Sequence, residues 1–184
     1  KEGAPHLLLE AHLDQIGFIV TRVEEGFLRF SKVGGIDARW LPATPVVIHA
    51  EKGDYPGIVT SVPPHLAGDG ADHSIKIENL LIDTGFTAET AAKLFAPGDI
   101  VTFAAKPTQL QNGRLAGPAL DDRIGCVAVL AAAEEIAAEK PDCRVTVMLS
   151  SMEEVGGQGA GTGGFAVMPD YAIAVDVSFG DGFG

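Results

Sequence analysis

Asp121–Met152 reads DDRIGCVAVLAAAEEIAAEKPDCRVTVMLSSM. Its first twenty residues are rich in alanine, the strongest helix former. Ile124, Val127, Ala128 and Ala131 recur at i, i+3, i+4 and i+7, which predicts one apolar helix face. Asp121 or Asp122 caps the start, and Pro141 lies just past the end. The CRVTVMLSSM that follows is a nearly continuous apolar run, the pattern of a strand buried on both faces. A helix feeding such a strand is the unit of an α/β layer. Outward from it, HLLLEAH (His6–His12) and YAIAVDV (Tyr171–Val177) are two more short apolar runs. The expected fold class is α/β.

Between Phe18 and Asn112 the texture changes. Short segments rich in Val, Ile, Thr and Phe alternate with Gly, Pro and Asp: FIVTRV, GFLRFSKV, TPVVIHA, YPGIVTSV, DIVTFAA. Turn signals this frequent predict a small all-β unit, a barrel or a sandwich. One helix interrupts it, TAETAAKLF, capped by Thr87. The domain reading is therefore an α/β domain that opens over residues 1–17, an inserted β-domain over 18–112, and the α/β domain again over 113–184.

Composition narrows the function. The net charge of −12 leaves no basic stripe to meet phosphates, which argues against nucleic acid and anionic membrane surfaces. No apolar run approaches the roughly 20 residues of a membrane span. Cys126 and Cys143 have neither metal-ligand spacing nor a disulfide framework and read as reduced thiols of a cytoplasmic protein. The chain starts just before one strand and stops just after another, the expected look of a piece of a longer polypeptide.

The chemistry gathers at strand ends. His12 and Asp14 follow LLLEA, Asp121 and Asp122 open the long helix, Glu153 and Glu154 follow VTVMLSSM, and Asp176 lies near the end of AIAVDV. In a parallel α/β sheet the C-terminal strand ends share one edge, where ligands bind. One imidazole and at least four carboxylates would then meet, a cluster that repels itself unless a cation neutralises it. Mixed His and carboxylate ligation suits Zn²⁺, Co²⁺ or Mn²⁺. Taken singly, each residue has a plainer role: His12 in a satisfied core, Asp121 or Asp122 as a cap, Asp176 in a turn. A competing signal is GAGTGG (Gly159–Gly164), which fits the G-x-G-x-x-G of a dinucleotide loop with Asp176 further on. It would make the protein a nucleotide-binding oxidoreductase. A catalytically inactive binding module is the third reading.

AHLDQIGFIV, YPGIVTSVPPHL, LLIDTG, ALDDRIGC, SSMEEVGGQGA and AIAVDV occur in this order at spacings that resemble the tetrahedral dinuclear-metal aminopeptidases. That family includes glutamyl and deblocking aminopeptidases, some once labelled endoglucanases. The resemblance implies a metallopeptidase-type α/β sandwich, partial here, interrupted by a small β-barrel or PDZ-like domain. It implies two divalent metal ions, Zn²⁺ or Co²⁺, peptide substrates, and a homo-oligomer built from dimers, up to a dodecamer. Carried over by position, His12 is a ligand of one metal with Asp14 holding its imidazole. Asp121 bridges both metals, and Asp176 completes the His12 site. Glu154 binds the second metal, and Glu153 is the general base. Gln15 and DVSFG depart from the pattern, and the segment after Glu154 holds more glycine than a helix start usually does. The family's remaining ligand, a distant downstream His, has no counterpart here. A polypeptide limited to these residues is thus expected to be inactive and to hold at most one metal tightly, unless His65 or His73 substitutes. The inserted domain is expected to serve assembly, with Trp40 either at a subunit contact or in the domain's own core.

Overall fold

The computed structural model describes residues 3–61 and 75–180; His65 and His73 lie outside them. In chain order the strands are β1 (His6–His12), β2 (Gly17–Glu24), β3 (Phe27–Val33), β4 (Pro45–Ala50), β5 (Gly53–Thr60), β6 (Leu81–Asp83), β7 (Ile100–Phe103), β8 (Thr108–Gln109), β9 (Leu115–Ala116), β10 (Arg144–Ser150) and β11 (Tyr171–Ala174). The helices are α1 (Ala88–Leu94), α2 (Leu120–Glu139) and α3 (Gln158–Val167). The chain divides into two compact units, residues 1–15 with 116–184, and residues 16–115.

The first unit is an α/β layer. β1 pairs in parallel with β10 on one side and β11 on the other. HLLLEAH is the central strand and its apolar side chains are the most buried of the three. α2 packs on the sheet through Cys126 and Val129, which form a cluster with Leu9 and Ala11. This corrects the expected helix face. Ile124, Val127, Ala128 and Ala131 all face outward; Gly125, Cys126 and Val129 are buried, and Ala132, Ala133 and Ile136 are half-buried below them. The reason lies in the composition: α2 is apolar nearly all round, so periodicity alone allows two faces. The face with Gly125 and Cys126 comes closest to the strands. β11 also departs from expectation. It is the edge of the described sheet, and all four of its residues are exposed, Tyr171 and Ile173 included.

At the N-terminal ends of these strands His6 is buried and fully engaged. The Arg144 guanidinium donates to His6 Nδ1 at 2.7 Å, and Nε2 lies 2.8 Å from Thr146 Oγ1. A guanidinium can only donate. The ring proton therefore sits on Nε2 and goes to Thr146. The His6 main chain donates to Asp170 Oδ2 at 2.7 Å and accepts from Asp170 N–H at 2.9 Å.

The second unit is a closed barrel in the order β2-β3-β6-β5-β4-β7, so the barrel alternative holds over the sandwich. Its strands alternate as the sequence requires. Phe18 and Val20, Leu28 and Phe30, Val46 and Ile48 point inward. Phe18 meets Phe30 and Phe103 edge-on, with ring centroids 4.9 and 5.3 Å away. α1 starts as expected: Thr87 Oγ1 accepts from Thr90 N–H at 3.3 Å. Trp40 is not a core residue. It is 59% exposed and stacks on Phe103, while its neighbour Leu41 is fully buried. β8 and β9 form a separate two-stranded ladder.

A barrel this small has no room for a side chain at every inward position. A Cβ on Gly57 would lie 2.7 Å from Ile82 Cγ2 and 2.8 Å from Ile48 Cδ1. Gly57→Ala is therefore expected to overpack the barrel and lower its stability by about 1–3 kcal/mol. Phe18→Ala is expected to cost about 3–5 kcal/mol by leaving a cavity. Urea unfolding followed by tyrosine and tryptophan fluorescence checks both; a neutral Gly57→Ala would show that the barrel relaxes around the added methyl.

Candidate functional site

Parallel pairing brings the C-terminal strand ends to one edge. His12 is opposite Ser150, and Glu10 is opposite Ala174. The turn carrying Glu153 and Glu154 leaves from Ser150, and Asp176 lies two residues beyond Ala174. His12 itself is only 3% exposed. Its Nε2 is 3.0 Å from Asp121 Oδ1 and 3.9 Å from Glu153 Oε2; its Nδ1 is 3.5 Å from Asp14 Oδ1. One ligand atom each from His12, Asp121 and Asp176 lie within 4.8 Å of one another. Glu154 stands outside that trio, on the same turn as Glu153, and its carboxyl feels the charges of both Asp121 and Glu153.

The electrostatics are those of a site short of positive charge. Burial lowers the His12 pKa, yet the hydrogen bond to Asp121 and the charges of Glu153, Asp121 and Asp14 outweigh it, and the net shift is upward. Burial raises the Glu154 pKa, and Asp121 and Glu153 add to the rise. Burial also raises the Asp122 pKa, helped by the charge of Asp176. The Glu154 and Asp122 carboxyls thus hold a proton more tightly than isolated carboxyls do. His12 Nδ1 makes no hydrogen bond and faces Asp14, while Nε2 faces Asp121. A cation on Nε2 would leave Nδ1 turned towards the Asp14 carboxylate 3.5 Å away, the arrangement usual for a metal-binding imidazole. On this donor set and orientation, the residues fit a divalent cation.

Four contributors, Gly125, Cys126, Ser150 and Glu10, escaped the sequence reading. Asp122, placed there among the strand-end carboxylates and as a possible cap, does cap the regular turns of α2 that follow it: Oδ1 accepts from Gly125 N–H at 3.2 Å. It is also fully buried, with Oδ2 unpaired, beside the Asp176 charge. Gly125 makes room for it, since a Cβ there would overlap both Asp122 carboxylate oxygens. Cys126 Sγ donates to the His12 carbonyl at 3.1 Å, and burial keeps its thiol pKa high. Ser150 Oγ donates to Glu10 Oε1 at 2.5 Å. Glu10 had a signal: it is the one charge in HLLLEAH, two residues before His12 and on the same strand face.

GAGTGG is not a dinucleotide loop. Gly159–Gly164 lie inside α3, nine residues past the end of β10 at the nearest, with the Glu153–Glu154 turn between. The glycines serve close packing and sharp turning. Gly156 and Gly157 have φ of 124° and 74°. A Cβ on Gly159 would overlap the Ser151 backbone, and one on Gly163 would overlap Met148 Sδ. The start of α3 can therefore press directly against the strand that delivers the glutamates.

That packing separates the helix glycines into two kinds. Gly159→Ala is expected to push the Ser151–Glu154 turn away and cost about 1–3 kcal/mol. Gly161, where an added Cβ meets nothing within 4 Å, is the control. Gly161→Ala is expected to gain up to about 1 kcal/mol from helix propensity. Thermal melts of the two variants check the sign of each.

The chain matches the M42 glutamyl aminopeptidase family over residues 1–182. The lysyl aminopeptidase of Pyrococcus furiosus is 35% identical over 184 residues, which cover 97% of this chain and 53% of that protein. Among solved structures, a TET aminopeptidase from a marine-sediment Thaumarchaeota archaeon superposes with a TM-score of 0.90 at 33% identity, over 98% of this chain and 53% of that one. The TET1 peptidase of Pyrococcus horikoshii, described as assembling into a tetrahedron or a large octahedral shell, gives 0.84 at 36% identity, over 95% and 54%. The chain spans about half the length of the curated relatives it matches. With the strand-edge cluster, a match along nearly all its length places it: the chain belongs to the M42 glutamyl aminopeptidase family.

Proposed function

We propose that this chain supplies catalytic side chains of a metal-dependent aminopeptidase that removes N-terminal residues from peptides. The observation that carries the reading is the convergence of His12, Asp121 and Asp176 within 4.8 Å at one strand edge, in a chain that belongs to an aminopeptidase family. His12, Asp121 and Asp176 would hold one cation; Asp121, shared, and Glu154 would contribute to a second, with Zn²⁺ or Co²⁺ the best suited to the donors. Bound there, such cations would lower the pKa of water towards neutral and polarise the scissile carbonyl. The chain's own groups do the rest. Asp14 faces His12 Nδ1 and would take up its N–H, which leaves Nε2 as the nitrogen to ligate a cation. Glu153 Oε2, 3.9 Å from His12 Nε2, takes the proton of the attacking water and returns it to the leaving amine.

The barrel unit is the proposed assembly element. Two observations support it: exposed Trp40 on its surface, and a relative described as assembling into a tetrahedron or a large octahedral shell. No helix of the described residues is long and apolar enough to cross a membrane.

Glu153→Gln and Glu154→Gln are expected to fail differently in the full-length protein. Glu153→Gln keeps its metal while turnover on aminoacyl chromogenic substrates drops by roughly 10²–10⁴. Glu154→Gln loses affinity at one metal position, read by metal analysis after dialysis. Near-normal turnover in Glu153→Gln would remove it from the mechanism. An unaltered protein that binds metal and releases no amine from any substrate would leave the inactive binding module as the reading. Trp40→Ala is expected to shift the assembly to smaller species in light scattering; an unchanged mass would take Trp40 out of the contact.

A further inference from the structure

Adjacent glutamates on one turn raise a question of aim. Glu153 and Glu154 carry like charges and neighbour each other, so the backbone between them must be held if both carboxylates are to face His12. The turn leaves β10 through Met152, whose φ of 64° is left-handed and rare for a residue with a Cβ. The next amides fold back on it. Gly157 N–H donates to Met152 O at 2.8 Å, Gly156 N–H to Glu153 O at 2.9 Å, and Gly159 N–H to Ser151 O at 3.0 Å. The carbonyls of the turn are thereby used by the glycines that follow. The two remaining amides of interest go elsewhere. Glu153 N–H donates to Asp14 Oδ1 at 3.2 Å, and Glu154 N–H donates to Asp14 Oδ2 at 3.3 Å.

Two successive backbone N–H groups that converge form a small anion-binding concavity. Here the anion is a side chain from the end of β1. Pairing of β1 with β10 delivers it: Leu13 N–H donates to Ser150 O at 2.8 Å, one residue beyond the last ladder pair. Asp14 is then the next residue along, beside the start of the turn. Its carboxylate sits among other carboxylates, and it can do so because it meets their amides rather than their side chains. Oδ1 also faces His12 Nδ1 at 3.5 Å.

We propose that Asp14 is the positioning residue for the Glu153–Glu154 turn. One carboxylate fixes the imidazole of His12 and the backbone of both glutamates in a common frame, so that Glu153, Glu154 and His12 Nε2 address the same point. The proposal rests on the reading of those three as site residues, but it adds the turn itself to what Asp14 holds, beyond the imidazole. It makes Asp14→Asn a severe change. An amide has one acceptor atom where the turn needs two, and its N–H₂ would oppose one of the backbone donors.

Hydrogen–deuterium exchange on the full-length, metal-free protein tests this without reference to peptidase activity. In Asp14→Asn the fragment spanning Ser151–Gly157 is expected to exchange at least about tenfold faster than in the unaltered protein, since each lost charge-assisted bond opens the turn. Titration with Co²⁺, read by its visible absorption, is expected to show affinity reduced by about 10–100-fold. In a Glu154→Gln background the same substitution is expected to cost less, because the two act through one turn. Unchanged exchange of the fragment in Asp14→Asn, with or without a change in Co²⁺ affinity, overturns the proposal and leaves Asp14 acting on His12 alone. Should the variant not fold, amide-resolved exchange of the unaltered protein decides. Glu153 and Glu154 amides exchanging as fast as an unstructured chain would equally overturn it. A Glu153→Gln enzyme with full turnover would sink the catalytic reading and leave the exchange result standing.

Discussion

Carboxylates from four separate segments surround one buried imidazole, and their mutual repulsion decides how the backbone around them is built. Asp14 follows β1, Asp121 and Asp122 open α2, Glu153 and Glu154 leave β10, and Asp176 follows β11. Each would disperse into water if free to do so. Three of the six are instead tied to main chain: Asp14 to two amides, Asp122 to Gly125 N–H, Asp176 to Val177 N–H at 2.7 Å. Neutral amide dipoles thus do for these three what a cationic side chain would otherwise do. The cost is a high affinity for protons, seen in the upward shifts of His12, Asp122 and Glu154. A divalent cation would meet the same demand with one particle.

Much of this was legible in the sequence because period and punctuation carry the information. HLLLEAH is too short and too apolar to be anything but an inner strand, and the histidine at its end is where parallel sheets bind ligands. The β unit announced itself through its frequent turn signals, which left barrel and sandwich open, and Thr87 through its capping position. The rest failed for physical reasons. In α2 the apolar residues nearly encircle the helix, so no periodic signal could choose between the face with Ile124 and the face with Cys126. In α3 four glycines argue against helix on propensity, but two of them are there because Ser151 and Met148 press too close for a Cβ. Asp122 looked like half of an interchangeable pair. The resemblance gave Asp121 alone a metal-binding role, and the fold adds the physical difference between them: Asp122 is fully buried, and Asp121 is exposed at the cluster.

The first unit also carries apolar surface on more than one side. Ile124, Val127 and Leu130 on α2, Phe165 and Met168 by α3, and Tyr171 and Ile173 on β11 are all exposed. A helix apolar on every side normally packs on two sides. The relatives matched are about twice as long as this chain. Until covered, such patches favour association of the isolated polypeptide over solubility.

The neutral histidine at the far end of β1 bears on the site as well. Its ring holds Arg144 and Thr146 of β10, and its main chain holds Asp170 at the start of β11, so one residue indexes both neighbouring strands. Strands advance about 3.3 Å per residue. A slip of one notch at His6 would therefore carry Glu153 or Asp176 past His12 by more than the length of a hydrogen bond, and would turn the strand's faces over as well. The precision of the cluster is set at the opposite edge of the sheet, some six residues away, by a ring that takes no part in the chemistry. Alignment and reactivity are thus delegated to two histidines on a single strand.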